Sequence, residues 1–448
     1  MPALSRRAFI ATSSAAAGAA LAGLGAACSG DDDEQPAGAG PSRGTAGGDG
    51  APFDPADWAS VRDQFPLTRD VAHFAAFVLA AHPRPVAAAL ERHRAGLDED
   101  THGYLPIETE AEPAVRQAAA EYLGARPEEV ALTDSTTMGL GLLYGGIRLR
   151  PGQEVLTTEH DFYSTHQALA LRERRDGVAV RRVRLYDDPA AATAGGIVDR
   201  LLAGVTPATR VVAVTWVHSV TGVKLPIADV AEALAGANAG RAPEDRALLC
   251  VDGVHGLGVE DVSVGDLGCD VLVAGTHKWL FGPRGTGIVW ARPEAWEELD
   301  AVIPAFEPSS FDEWLEGRPP APTDGVRFTP GGYHSFEHRW ALAEAFRFHL
   351  DIGRDRVAAR THEQATRLKE GLAGIDGISL VTPPGEDMSS GIVCFDVDGE
   401  SPHDVVARLA AAGFSTSVTP YREQHVRAGP SIVTTPDEVD ALLDELRR

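Results

Sequence analysis

Between residues 84 and 300 the chain alternates short apolar runs with stretches whose apolar residues recur every three or four positions. The runs are EVALTD (129–134), EVLTT (154–158), VAVRRVRL (178–185), RVVAVTW (210–216), ALLCV (247–251), DVLVA (270–274) and GIVWA (287–291). Their length and β-branched content predict strands. The segments VAAALERHRAGL (86–97), STHQALALRERR (164–175) and IADVAEALAGA (227–237) predict amphipathic helices. Strand and helix in this alternation predict βαβ units and a mostly parallel central sheet flanked by helices. Ligands in such sheets bind beyond the carboxyl ends of the strands.

From about 336 to 375 the texture changes to a long helical region, followed by short strands and helices that end in TPDEVDALLDELRR. The expected fold is therefore α/β, with an N-terminal segment and large domain over 53–330 and a smaller C-terminal α+β domain over 331–448. Residues 29–52 are Gly, Asp, Ala and Pro with almost nothing to bury, which predicts a disordered linker. In residues 1–28, Arg6 and Arg7 precede an Ala-rich apolar stretch, the layout of an export signal. The Ser-Arg-Arg-x-Phe context resembles a twin-arginine signal, and the apolar core is short for a membrane span. LGAAC is an imperfect lipobox, which makes Cys28 a candidate lipid anchor. The expected location is extracytoplasmic.

With 448 residues, 44% of them hydrophobic, the chain has material for a large core. A formal charge of −25 without a basic block argues against nucleic acid or anionic membrane as a partner. Of the four cysteines, Cys250 and Cys394 sit inside apolar runs and Cys269 at the edge of one. No CxxC or Cys/His zinc spacing occurs, so neither a disulfide framework nor a metal is expected.

Candidate chemistry centres on scarcity. Only three lysines stand beside 37 arginines, and Lys278 closes DVLVAGTHKWLFGPRGTG. Asp252 ends another strand in LLCVDGVHG, twenty-six residues earlier. A lysine and an aspartate just past neighbouring β-like runs suggest pyridoxal 5′-phosphate (PLP). The lysine would hold the aldehyde as a Schiff base, and the aspartate would keep the pyridine nitrogen protonated. TDSTTMG (133–139), with Ser135, Thr136 and Thr137 at a strand-to-helix boundary, suits a phosphate dianion. His277, beside the lysine, is a further candidate phosphate donor. In TTEHDFYSTH, His160 is the first choice to lie on the ring, with Phe162 and Tyr163 as alternatives. Either Ser219 or His255 can reach the ring hydroxyl. Lys224 reads as structural.

These segments, in this order from about residue 73 onward, resemble the class V aminotransferases, which are fold-type I PLP enzymes. The group includes cysteine desulfurases, kynureninases and isopenicillin N epimerase-like proteins. The resemblance implies Lys278 as the Schiff-base lysine, Asp252 at the ring nitrogen, and His255 where Gln is common. It implies Arg427, in HVRAGPSIVTTPDEVD, as a fork for the substrate α-carboxylate. Ser219 stands where desulfurases have Asn, as in the epimerase-like branch. No cysteine lies in a loop before Arg427, and RFTPGGYHS (327–335) lacks the Gly-Thr with which a neighbouring subunit touches phosphate. A homodimer is nonetheless expected.

The expected function is a PLP enzyme acting on an amino acid by epimerase-like or lyase chemistry. The alternatives are a true transaminase, a non-catalytic PLP-fold binding protein, and a metalloenzyme using His160, His166, His255 or His277. The resemblance implies that the segment of Phe74, Phe77 and His82 borders the entrance.

Overall fold

The computed structural model describes residues 53–448. The expected export signal, the expected linker and Cys28 lie outside the described residues. All seven apolar runs form strands: β1 (Val130–Thr133), β2 (Glu154–Thr158), β3 (Ala179–Val183), β4 (Thr209–Thr215), β5 (Leu248–Asp252), β6 (Val271–Gly275) and β7 (Gly287–Ala291). They make one sheet in the order β1-β7-β6-β5-β4-β2-β3. Only β7 runs against its neighbours, between β1 and β6. The rest pair in parallel.

Burial on both faces explains why these runs are apolar throughout. Along β4, Val211 and Ala213 face one core with Leu140, Leu143 and Leu169. Val212 and Val214 face the other, with Leu156, Leu249 and Phe346. The edge strand β3, AVRRV, is partly exposed: Arg182 faces water, while Arg181 pairs with the buried Glu154 at 2.6 Å.

The long helical region is two helices, Phe336–Ile352 and Arg354–Ala373, parted at Gly353, whose φ of +97° suits only glycine. The first packs on Arg84–Glu99 and Glu108–Leu123 over the large sheet. The second packs on Pro436–Leu446 and the C-terminal sheet. That sheet holds β8 (Ile378–Leu380), β9 (Val393–Val397), β10 (Ser417–Val418) and β11 (Val426–Ala428), antiparallel in the order β10-β11-β9-β8. The N-terminal segment joins this part of the molecule. Ala72–His73 pairs in parallel with Phe414–Ser415, and Phe74 is buried in the C-terminal core.

Two of the three lysines hold this architecture together. Lys224 Nζ lies 3.0 Å from the buried carboxylate of Glu260, which also binds His362 Nε2 at 3.0 Å and Ser390 Oγ. This node ties the loop after β4 to the helix Arg354–Ala373. Lys369 is almost fully buried, donating to Pro384 O at 2.8 Å and Ser389 Oγ at 2.6 Å, and burial pushes its ammonium down to about 8. Among the described residues no helix is long and apolar enough to cross a membrane.

Replacing Glu260 with Gln removes the counter-charge of Lys224 inside the protein. The expected loss is about 3 kcal/mol, because breaking a buried pair leaves an uncompensated charge. Urea unfolding of Glu260→Gln at neutral pH reads it as a lower midpoint with unchanged slope.

Candidate active site

The carboxyl ends of the parallel strands deliver the site. Asp252 is the last residue of β5, and Lys278 lies on the loop from β6 to β7. That loop is closed by the pair Gly275 and Gly287, by Thr276 N–H donating to Thr286 O at 3.1 Å, and by a 2.6 Å contact between their hydroxyls. Both glycines are needed for close approach. A Cβ on Gly275 would stand 2.9 Å from Thr136 Oγ1, and one on Gly287 3.2 Å from the Ser135 carbonyl carbon. The helix Thr136–Gly146 can therefore press its N-terminus against the lysine loop. Thr136 Oγ1 accepts from Gly275 N–H at 2.7 Å, and Ser135 caps the helix by accepting from Met138 N–H at 3.1 Å. Phe281 takes a left-handed φ of +56° in the same loop, held by packing of its ring on Phe65.

These elements enclose a cavity of about 230 Å³ lined by Ser135, Thr136, Thr137, Ser219, Asp252, His255, His277, Lys278 and Arg427. Nine of the ten residues picked out for the site thus meet in one place. Phe77, Val78, Phe162, Ser164, Thr215, Val254 and Pro420 complete the wall.

His160 is the exception, and the expectation that it lies on the ring is not met. Asp161, buried next to it, accepts from Thr157 Oγ1 at 2.7 Å, Thr158 N–H at 2.8 Å and Thr215 N–H at 2.8 Å. This ties the end of β2 to the end of β4 and sets the turn. Phe162 then faces the cavity, while His160 stacks on Tyr186 with centroids 3.9 Å apart and accepts from Leu185 N–H. Phe162, one of the two alternatives, takes the wall position. Tyr163 is exposed. Of the entrance residues, Phe77 lines the cavity and Phe74 and His82 do not.

Electrostatics follow from burial. It pushes the Asp252 carboxyl up to about 7, against the pull of Val254 N–H, which donates to it at 3.1 Å, and of Lys278. It lowers the Lys278 ammonium to about 8, with Asp252 opposing and Arg427 adding to the shift. His255 and His277 are both held below the ordinary imidazole value, again chiefly by burial. Arg427, on β11, donates from Nε to Ser417 Oγ at 3.0 Å and from Nη1 to Ser219 O at 3.2 Å. Its guanidinium carbon lies 4.5 Å from the Phe77 ring centroid. Nη2 has no protein partner among the described residues, which leaves it for a ligand.

The four histidines weighed as metal ligands do not form a cluster. His166 bonds to Thr158 O at 2.8 Å, away from the cavity. Among the described residues the only three-ligand group is Glu108, Glu112 and His334, and Glu112 is already paired with Arg116 and Arg339.

Sequence reasoning missed Trp279, whose indole N–H donates to His255 Nδ1 at 3.2 Å, and Tyr421, whose hydroxyl lies 2.9 Å from Ser219 Oγ. Both contacts join distant or differently oriented segments and leave no trace in local pattern.

A buried amine opposite a buried carboxyl, with a helix N-terminus and a guanidinium on the same cavity, defines a PLP-type site on an α/β scaffold. Residues 104–442 match the aminotransferase class-V family, and the chain belongs to it. It is 27% identical over 414 residues to an isopenicillin N epimerase of Streptomyces clavuligerus, spanning 87% of this chain and 98% of that protein. It is 27% identical over 380 residues to a probable cysteine desulfurase of Xylella fastidiosa, spanning 81% and 86%. The fold matches a cystine C–S lyase solved with its reaction product cysteine persulfide, at TM-score 0.75 and 20% identity over 86% of this chain and 99% of that one. It also matches a cysteine desulfurase of Thermococcus onnurineus, at TM-score 0.73 and 22% identity over 87% and 97%. PLP is the cofactor of the family, and the residues present fit it. The cavity supplies an amine of lowered basicity, a carboxyl for a ring nitrogen, and the capped N-terminus of an eleven-residue helix for a phosphate.

Covalent uptake of PLP by the apoprotein is expected to follow the neutral fraction of Lys278. The rate should rise between pH 7 and 9 with a midpoint near 8 and then level off, because only the deprotonated amine attacks. Absorbance followed by borohydride fixation and peptide mapping checks it, and Lys278→Ala should take up none.

Proposed function

We propose that the protein is a PLP-dependent enzyme that breaks and remakes bonds at the α-carbon of an amino acid, by epimerase-like or lyase chemistry. One observation carries the reading: Lys278, Asp252 and Arg427 line a single cavity to which no cysteine among the described residues contributes. PLP, when bound, supplies the conjugated ring that takes up the electron pair of a broken Cα bond. Arg427 binds the substrate carboxylate through its free Nη2. Asp252 holds the proton of a ring nitrogen. Lys278 would remove and return the proton at Cα. Phe77, Phe162 and Pro420 keep water from this exchange.

A persulfide route through a protein thiol has no support in the geometry. Cys394 is buried in β9, and burial pushes its thiol up to about 12. The loop between β10 and β11 carries Tyr421 instead of a cysteine and is closed by Thr419 N–H donating to His425 O at 3.0 Å. Export by the twin-arginine route, attachment at Cys28 and assembly as a homodimer belong to the same proposal. The first two rest on the sequence signal, and the dimer is supported by the exposed Phe306, Trp314 and Tyr333.

Incubation of the holoenzyme with single amino acids in heavy water tests the reading. Deuterium at Cα with inversion marks an epimerase, and ammonia with a keto acid marks a lyase. A keto acid formed only with an added acceptor marks a transaminase instead. Arg427→Gln should raise KM about tenfold to a hundredfold, the loss of a charge-assisted bond of about 2 kcal/mol. Cys394→Ala should keep wild-type turnover, and loss of turnover in a folded variant would revive the thiol route.

A further inference from the structure

An indole N–H can only donate. That of Trp279 points at His255 Nδ1 from 3.2 Å, while His255 Nε2 lies 3.4 Å from Lys278 Nζ. A neutral imidazole that accepts at Nδ1 must carry its proton at Nε2. Burial, with Lys278 and Arg427 nearby, keeps His255 neutral. The indole itself has no freedom to turn away. Its six-membered ring lies over Gly391 and Gly429, where an added Cβ would stand 2.7 and 3.2 Å from Cη2. Phe77 closes the remaining side, with ring centroids 6.1 Å apart.

We propose that Trp279 is a positioning residue whose indole fixes His255 as an Nε2–H donor facing Lys278, so that an ammonium there finds no acceptor and the neutral, nucleophilic amine is favoured. This rests on the reading of Lys278 as the PLP-bearing amine. A lone pair at Nε2 would accept from an ammonium and stabilise its charge. An N–H in that place cannot, and it leaves the imidazole acting as an amide N–H would, a donor without basic character. The groups facing this pair are Asp252 from β5, Arg427 from β11, and His277 from the lysine loop. None of them belongs to Trp279, so the effect of the indole is separable from theirs.

The test compares wild type, Trp279→Phe, His255→Gln and the double variant as apoproteins, reading the pH midpoint of PLP uptake at Lys278. Phenylalanine keeps an aromatic ring in the seat and removes the donor. Trp279→Phe should raise the midpoint by about one unit, roughly tenfold less neutral amine at pH 7, because His255 can then turn its lone pair to the ammonium. In the His255→Gln background the same change should shift nothing. An equal shift in both backgrounds, or none in either, overturns the proposal. Nitrogen NMR of the wild-type apoprotein should find His255 protonated at Nε2 and bare at Nδ1, and the opposite tautomer overturns it as well. Should wild type take up no PLP at Lys278 at any pH, the functional reading fails, while the NMR result still decides the tautomer.

Discussion

An amine and a carboxyl kept from water in one small cavity are the constraint on which the rest of the molecule depends. Neither group is comfortable there, since burial disfavours the charged form of each. The scaffold meets that cost by fixing both on ends of adjacent strands, β5 and the β6–β7 loop, inside a sheet covered on both faces. The glycine pair at the base of the lysine loop lets a helix N-terminus reach the same space. The C-terminal sheet then adds the guanidinium of Arg427, so the cavity is complete only when both parts of the chain are folded together.

The strands of the large sheet were legible in the sequence, most of them because double-sided burial writes itself as an unbroken apolar run. Lys278, Asp252 and Arg427 were legible for a different reason, namely the chemistry of rare residue types at strand ends and the family resemblance around them. His160 was misplaced because the turn after β2 is set by Asp161, whose three hydrogen bonds reach across to β4. No local pattern records such a bond. The contact of Trp279 with His255 was hidden in the same way, and so was the seat made for the indole by Gly391 and Gly429, which lie more than a hundred residues away.

The relatives include an epimerase and a probable cysteine desulfurase. Where a thiol route needs a reactive cysteine, this chain offers a closed hairpin bearing Tyr421, anchored through Ser219 to the end of the large sheet. The same serine gives its carbonyl to Arg427. The Arg427 guanidinium and the covering of the cavity are therefore mechanically joined through one residue.

The placement of the lysines reaches beyond catalysis. Among the described residues each of the three ammonium side chains is committed inward, to Glu260, to the carbonyls of Pro383 and Pro384, or to the cavity. The outer surface is left to guanidinium and carboxylate groups, which reducing sugars and free aldehydes attack far less readily than amines. Among the described residues the exterior therefore offers no free lysine amine to a carbonyl compound, and the one ammonium not engaged by a carboxylate or a carbonyl faces the cavity.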